Sequence, residues 1–534
     1  MRLLEWHRHF WSILLGVAML LSACMKVGPD YARPLTALSQ DWLESRDERI
    51  NTKSAEYRTW WQVFNDPVLD RIVDRAYHQN LSLKIAAVRV LEARARLGIA
   101  VGNFYPQTQQ ATGSVLFNQT SERSSLARAS QAAGQGDTAF QIWQDQINLS
   151  ATWELDFWGR FRRAIESADA GLRATLADYD SALVSLTADV ANSYVQIRTL
   201  QRRLDIARQN LETQKESLRL AEARFKGGTT SERDVEQART ILFNTQATIP
   251  TLEAQLQQAK DALSVLLGLP PSDLTSILDG AADIPVPPPQ VAVGIPADLL
   301  RRRPDVRSAE LQAAAQCAQI GVAKAELLPA FSLTGSFGFL STDLGTFRLS
   351  DIADWRARQA TAGPSFQWNI LNYGRITNNV RLQDARFQQL LLTYQNTVLQ
   401  AQQQVEDALA GYLRAQENAE YLAQSAGAAK RSLDLAFIQY REGSTDFTTV
   451  LSAQQALLTA QDSLATAMGT ISANLVGLYR ALGGGWQIRE GQDLLSPELR
   501  EVMAKRTHWG KLLSPAAYLP PDAEPAPALR PPDW

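Results

Sequence analysis

Histidine and cysteine are nearly missing from these 534 residues, and so is any long apolar stretch. The four histidines are His7, His9, His78 and His508. They offer neither the spacing of metal ligands nor a catalytic base with a nucleophile beside it. The cysteines are Cys24 and Cys317. No glycine-rich phosphate loop opens a helix. Charge of one sign is lacking too: 53 Lys and Arg stand against 56 Asp and Glu, a net charge of −3. The basic residues are scattered, which excludes the electrostatic footprint of a nucleic-acid binder. The apolar run of residues 10–21 falls short of the ~20 residues that cross a bilayer as a helix. These absences exclude an enzyme, a metal site and a nucleic-acid partner, and they leave no cofactor.

Arg2 and Arg8 precede that apolar run, so residues 1–23 read as a secretory signal. The run closes on Leu21-Ser22-Ala23-Cys24, which resembles the lipobox of bacterial lipoproteins. That likeness implies a covalent lipid on Cys24 as the mature N-terminus. Met25, in place of an aspartate, fits sorting to the outer membrane. A lipidated Cys24 leaves Cys317 without a disulfide partner.

What the chain does have is a repeat. Val190, Ile197, Leu204, Leu211, Leu218 and Phe225 stand seven residues apart, and the stripe returns at Val405, Tyr412, Ala419, Ala426, Leu433 and Tyr440, displaced by 215 (405 − 190). Each stripe is followed by a glycine turn and a second seam, Val235 to Leu263 and Val450 to Leu478, again in sevens. A strict seven-residue repeat supercoils helices left-handed around partners. Small residues such as Ala207, Ala238, Ala453 and Ala467 let the backbones approach. The long helices, residues 158–226 and 374–441, would each reach ~100 Å at ~1.5 Å per residue.

Four short segments alternate instead with period two. Ile147, Leu149, Ala151, Trp153 and Leu155 interleave with polar residues, as do Phe331 to Phe339 and Pro364 to Ile370; Ala111 to Phe117 is weaker. A half-exposed sheet of a soluble protein alternates in this way. Here the apolar sets are rich in aromatics and the polar sets almost uncharged, which suits an outer-membrane barrel with a polar lumen. Lipid admits only helices and closed barrels, and four strands close no barrel. On this reading the chain borrows strands from copies of itself.

The expected organisation follows the repeat. A lipidated extended segment, residues 24–59, precedes a first repeat over 60–284: a helix, strands 107–118 and 145–156, and helices 158–226 and 231–268. A proline-rich linker, 285–296, leads to a second repeat over 297–486: helix 304–326, strands 329–340 and 362–371, and helices 374–441 and 446–482. Residues 487–534 form a C-terminal extension, read as partly disordered on its Pro and Ala content. The strand connections, 118–144 and 340–362, read as extracellular loops.

At Arg301-Arg302-Arg303-Pro304-Asp305-Val306, with Ala309-Glu310 following, the chain resembles the TolC-type outer-membrane efflux channels, in their NodT/OprM-like lipoprotein branch. Val27-Gly28-Pro29-Asp30-Tyr31 after Cys24, Trp60-Trp61, Asp66-Pro67 and Gly483-Gly484-Gly485-Trp486 carry the same likeness. The resemblance implies a mixed α and β fold in which three copies share a twelve-stranded barrel in the outer membrane, over a periplasmic α-barrel of coiled coils. It implies as partners outer-membrane lipid, a periplasmic adaptor and an inner-membrane pump, and as activity passive conduction of drugs or other toxic small molecules. A duct for protein secretion is the alternative; a structural periplasmic lipoprotein is a further one. The turns at Gly228 and Gly443 would be the hairpin tips that close the tunnel and meet the adaptor. Asp234 and Tyr440 match the family residues that bridge neighbouring hairpins in the closed state. Asp446 is either a displaced acidic ring of the pore or a helix N-cap.

Overall fold

The computed structural model describes residues 26–34, 39, 41–51, 57–119, 121, 141–279, 283–293, 302–343 and 349–514. The signal, Cys24, most of the first strand connection, part of the second and residues 515–534 lie outside the described residues. After a short strand β1 (Ile50–Asn51), the first half runs α1 (Pro67–Gln79), α2 (Leu81–Gly102), β2 (Thr108–Gln119), β3 (Gln141–Leu155), α3 (Arg160–Lys226) and α4 (Glu232–Leu266). Strand β4 (Val291–Ala292) lies in the connection. The second half follows with α5 (Pro304–Ala325), β5 (Ala330–Thr342), β6 (Arg358–Gln367), α6 (Arg375–Arg441) and α7 (Phe447–Ala481). Helices α3 and α6 each have 67 residues, and α4 and α7 each have 35. Among the described residues no helix is long and apolar enough to cross a membrane.

The helix ends show why both halves fold alike. Gly159 and Gly374 precede α3 and α6 with φ of 75° and 80°, a left-handed corner that glycine takes without the Cβ penalty. The corner turns each chain from strand into helix.

The four long strands form one antiparallel sheet in the order β2-β3-β5-β6. Its register sorts the side chains by face. Leu149 lies between Ala111 and Phe337, and Leu333 between Trp153 and Pro364. On the other face Ser150 lies between Gln110 and Ser336, which in turn faces Thr361. The fourth strand departs from expectation: it starts at Arg358 and ends at Gln367, so Trp368 and Ile370 leave the ladder. Gln367 pairs with Ala330, and the residue before Ala330 is Pro329, which has no N–H to continue the pairing. Trp368 instead donates its indole N–H to the Leu327 carbonyl at 3.0 Å.

Away from the sheet, the residues that carry the family likeness gather in one knot around the middle of α3. Trp60 is buried and stacks on Tyr479 with ring centroids 5.2 Å apart. Asp66 caps α1 and accepts the Tyr194 hydroxyl at 2.6 Å. Arg303 is buried, donates to the Ala481 carbonyl at the end of α7, and pairs with Asp305 at 2.6 Å. The segment after Trp486 is folded through residue 514. Arg489 pairs with the fully buried Asp180, and Leu495, Met503 of α8 (Pro497–Arg506) and Leu513 enter the main core. Those three apolar residues are spaced too irregularly to form a seam, so the sequence alone places them in the C-terminal extension.

Helix α3 is the hub, packed against α2, α4, α5 and α7. It meets α7 tightly at Gly469, where an added Cβ would collide with the Thr199 side chain. Gly469→Ala should therefore destabilise the fold by ~1–3 kcal/mol, the usual cost of overpacking. Thr199→Ala in the same chain should recover most of that loss in thermal unfolding, whereas additive losses would place the strain elsewhere.

Candidate functional site: the hairpin tips

The α3–α4 and α6–α7 turns end the helices farthest from the sheet. In the first, the Gly228 N–H donates to the Phe225 carbonyl and the Thr229 N–H to the Arg224 carbonyl, both at 2.9 Å. In the second, the Gly443 N–H donates to Tyr440 at 3.1 Å and the Ser444 N–H to Gln439 at 2.9 Å. This is the Schellman arrangement, which needs a left-handed residue at its centre; Gly228 and Gly443 have φ of 71° and 77°.

The two tips pack on each other through Ala221, Val235, Leu433, Tyr440, Phe447 and Val450. Tyr440 is 3% exposed, its ring 5.1 Å from that of Phe447, with the Arg224 guanidinium 4.1 Å above it. Arg224 also donates to the Arg441 carbonyl at 3.3 Å. The equivalent position of the first tip, Phe225, is 43% exposed. The α3 seam thus loses its hold on the core toward the tip, while the seams of α4, α6 and α7 keep Val235, Leu433, Tyr440 and Val450 buried there. Below Leu204 the buried positions of α3 include Asn210, Gln214, Ser217 and Ala221, while Leu211 and Leu218 are only half-buried. The reason is geometric: α3 must face both α4 and α7, and α7 lies on the flank preceding each seam residue.

Tyr440 belongs to this cluster and Asp234 adjoins its member Val235, but the two are not hydrogen-bonded to each other. The Asp234 carboxylate is buried and accepts the Thr230 hydroxyl at 2.5 Å. Burial pushes its pKa up, and the hydrogen bonds from Thr230 and Ser231 with the charge of Arg233 outweigh that and hold it below the ordinary carboxylate value. The Tyr440 hydroxyl is buried with no hydrogen-bond partner among the described residues. Asp446 is exposed and caps α7, accepting the Thr449 N–H at 3.2 Å and its hydroxyl at 2.9 Å. Among the described residues no group of His, Cys, Asp and Glu could hold a metal ion.

The sequence matches the outer membrane efflux protein family over residues 72–269 and 295–484, one stretch in each half. The chain belongs to this family. It is 32% identical to Nodulation protein T of Rhizobium leguminosarum bv. viciae, over 88% of this chain and 92% of that one. It is 33% identical to the pyoverdine export outer membrane protein OpmQ of Pseudomonas putida, over 80% of this chain and 88% of that one. The solved outer-membrane channel OprN superposes with a TM-score of 0.78 at 34% identity, covering 86% of this chain and 99% of that one. The protein is an outer-membrane efflux channel component with a mixed α and β fold, and it is not an enzyme.

The efflux protein joins its two hairpins by a ladder of polar contacts that the sequence reading missed. Arg203 pairs with Asp462 at 2.7 Å, Asn210 donates to Gln461 at 2.8 Å, and the Gln454 amide donates to the Ser217 hydroxyl at 2.6 Å. Arg224 over Tyr440 is the last rung. The signal was available: residues 203, 210, 217 and 224 are themselves seven apart, each one before a seam residue. Because the Tyr440 ring and not its hydroxyl carries the Arg224 contact, a double-mutant cycle of Arg224→Ala with Tyr440→Leu should give a coupling of ~0.5–2 kcal/mol in unfolding. Arg224→Ala with Tyr440→Phe should give a much smaller one. A coupling that Phe abolishes as fully as Leu would assign the contact to the hydroxyl.

Proposed function

We propose that three copies of this chain form the exit duct of a tripartite efflux system, with the sheets merged into one barrel through the outer membrane and the helices forming a tunnel in the periplasm. The observation that carries this reading is the sheet. Among the described residues its outer strands are paired on one side only, and its apolar face exposes Val115, Phe117, Ile147, Leu149, Phe337 and Phe366. In water such a face is an association liability, and in lipid its open edges would be untenable. Both problems vanish if copies join edge to edge. An even number of strands per chain keeps the junction antiparallel, and three chains of four strands give twelve. Aromatic residues sit toward both ends of the apolar face, Phe117 and Trp143 at one and Trp153, Phe331 and Phe366 at the other, like the girdles that flank the ~25 Å apolar band of such barrels.

A lipid on Cys24 agrees with the path of the segment that follows it. The Val27 N–H donates to the Trp158 carbonyl at 3.0 Å, and Lys26 pairs with Glu166 at the start of α3. Two residues of extended chain reach ~7 Å, so the acylated end starts at the foot of the sheet, where a lipid headgroup layer would lie. At the other end, the tips around Gly228 and Gly443 serve as the gate and as the contact for the periplasmic adaptor. Asp234 and Tyr440 act there across neighbouring hairpins, and the inner-membrane pump supplies the energy. The cargo class is toxic small molecules; the OpmQ relative is named for export of pyoverdine, a small molecule rather than a protein.

The trimer should give discrete conductance steps in planar bilayers, and a strain lacking the gene should become several-fold more sensitive to a set of toxic compounds. Tyr440→Phe with Asp234→Ala should raise conductance if that pair latches the gate. A purified protein that stays monomeric and electrically silent would remove the channel assembly, and a sensitivity profile unchanged but for one missing secreted protein would replace drug export by protein secretion.

A further inference from the structure

The apolar face of the sheet is partly covered at the end where the strand connections lie. A stretch of the second connection folds back as two short 3₁₀ turns, Leu349–Ala353 and Trp355–Ala357. Trp355 sets its ring 6.3 Å from those of Phe337 and Phe339, which meet each other edge to face at 5.7 Å. Phe337 pairs with Leu149 and Phe339 with Ile147 across the β3–β5 ladder. Both rings therefore belong to the apolar face, and Trp355 lies over it. The root of the connection is tied down as well: the Trp143 N–H donates to the Asp343 carboxylate at 2.8 Å, and the Asp343 N–H to the Trp143 carbonyl at 3.2 Å. The turn at Trp355 thus sits on the side that the proposed barrel gives to lipid, not over the polar face.

Two arginines accompany it. Arg358 opens β6 opposite Phe339, so the alternation of a strand puts its side chain on the apolar face, in line with Ala360 and Ala362. Its guanidinium lies 5.0 Å from the Trp355 ring centroid and donates to the Trp355 carbonyl at 2.8 Å. Arg356, two residues earlier, is exposed as well. The neighbouring carboxylates are engaged elsewhere: Asp343 with the Trp143 N–H, and Asp354 with the backbone N–H of Arg356 at 2.9 Å. Among the described residues neither guanidinium has a carboxylate partner. Trp355 is itself 62% exposed.

An unpaired cation on the lipid face is unfavourable at the bilayer midplane and nearly neutral at the interface. Indole rings settle at that same depth. A guanidinium adds a specific preference, since its planar fork meets two oxygens of one phosphate. Resting on the barrel proposed above, we infer that Trp355, Arg356 and Arg358 form a site for a phosphorylated glycolipid of the outer leaflet. The two guanidinium groups hold the phosphate, and an acyl chain runs down from Trp355 along the small side chains of Ala360 and Ala362. Each copy is then fastened to both leaflets, by the lipid on Cys24 at the foot of the sheet and by a captured lipid at its outer rim.

The test uses the purified full-length channel in detergent with lipid A, a phosphorylated and acylated disaccharide, as the probe, and reads the lipid retained per chain by native mass spectrometry. Arg356→Gln with Arg358→Gln should lower retention several-fold, and Trp355→Ala should lower it too. Conductance in planar bilayers should stay that of the unsubstituted protein, which shows that the variants fold. Arg431→Gln, at an exposed arginine of α6 far from the sheet, should leave retention unchanged. Lipid A stripped of its phosphates should bind the unsubstituted channel several-fold more weakly than intact lipid A. Inorganic phosphate, set against chloride at equal ionic strength, should not displace the lipid. Full retention by a conducting double-arginine variant overturns the site. So does equal binding of the dephosphorylated lipid, which leaves only an apolar surface, or displacement by inorganic phosphate, which leaves only an anion site. Unsubstituted protein that stays monomeric and does not conduct overturns the barrel reading instead.

Discussion

A backbone in lipid must find all its hydrogen bonds within protein, and this one requirement governs the rest of the molecule. The sheet of four strands satisfies it internally along three ladders and leaves it unmet along two edges. A larger barrel from one chain would close those edges, at the cost of more sequence. On the proposed trimer, duplication followed by association does so with two copies of one hairpin per chain. The exposed Leu392 and Leu399 of α6 and the exposed Leu81, Ile85 and Ile99 of α2 would find cover in the same assembly.

The duplication is also what makes the two halves differ. Equivalent positions meet different neighbours: the first half is followed in space by the second half of its own chain, the second, on the proposed trimer, by another molecule. Trp158 donates to the Pro329 carbonyl while its counterpart Tyr373 is exposed, and among the described residues the tight packing of Gly321 against Arg163 and Val27 has no counterpart on α6. The tips differ in the same way. Tyr440 is enclosed by Phe447 and Arg224, whereas Phe225, at the same place in the first repeat, is open.

Much of this was legible in the residues, and the parts that were not share a cause. Heptads and alternation are periodic signals, so the long helices and strands emerged close to their observed limits, and the glycine turns followed from the chemistry of helix ends. Features set by tertiary contact carry no such period. The segment around Leu495, Met503 and Leu513 looks like tail because its apolar residues answer to α1 and α2 rather than to each other. The end of β6 at Gln367 depends on Pro329 in the partner strand. The Arg303 motif could be matched to a family, but its physical duty, clamping the end of α7, required the Ala481 carbonyl, 178 positions away in the chain. The polar ladder is periodic as well, but Arg203, Asn210, Ser217 and Arg224 take on meaning only through their partners on α6 and α7.

That ladder divides the helical body into two mechanical regimes. Around Tyr194, Ile197 and Leu204, α3 is held by aliphatic and aromatic burial, and parting those surfaces would expose apolar area at ~25 cal/mol per Å². Farther down, Asn210, Gln214 and Ser217 take over the buried positions, and a neutral hydrogen bond exchanged for water costs only ~1 kcal/mol net. Gln214 has neither amide atom satisfied among the described residues, so wetting it recovers free energy. The hairpins are thus held by apolar burial around Tyr194 to Leu204 and again in the tip cluster of Val235, Tyr440, Phe447 and Val450, with polar contacts between the two. A leucine seam continuous from Leu204 to the tip would make that middle stretch as costly to part as its two ends.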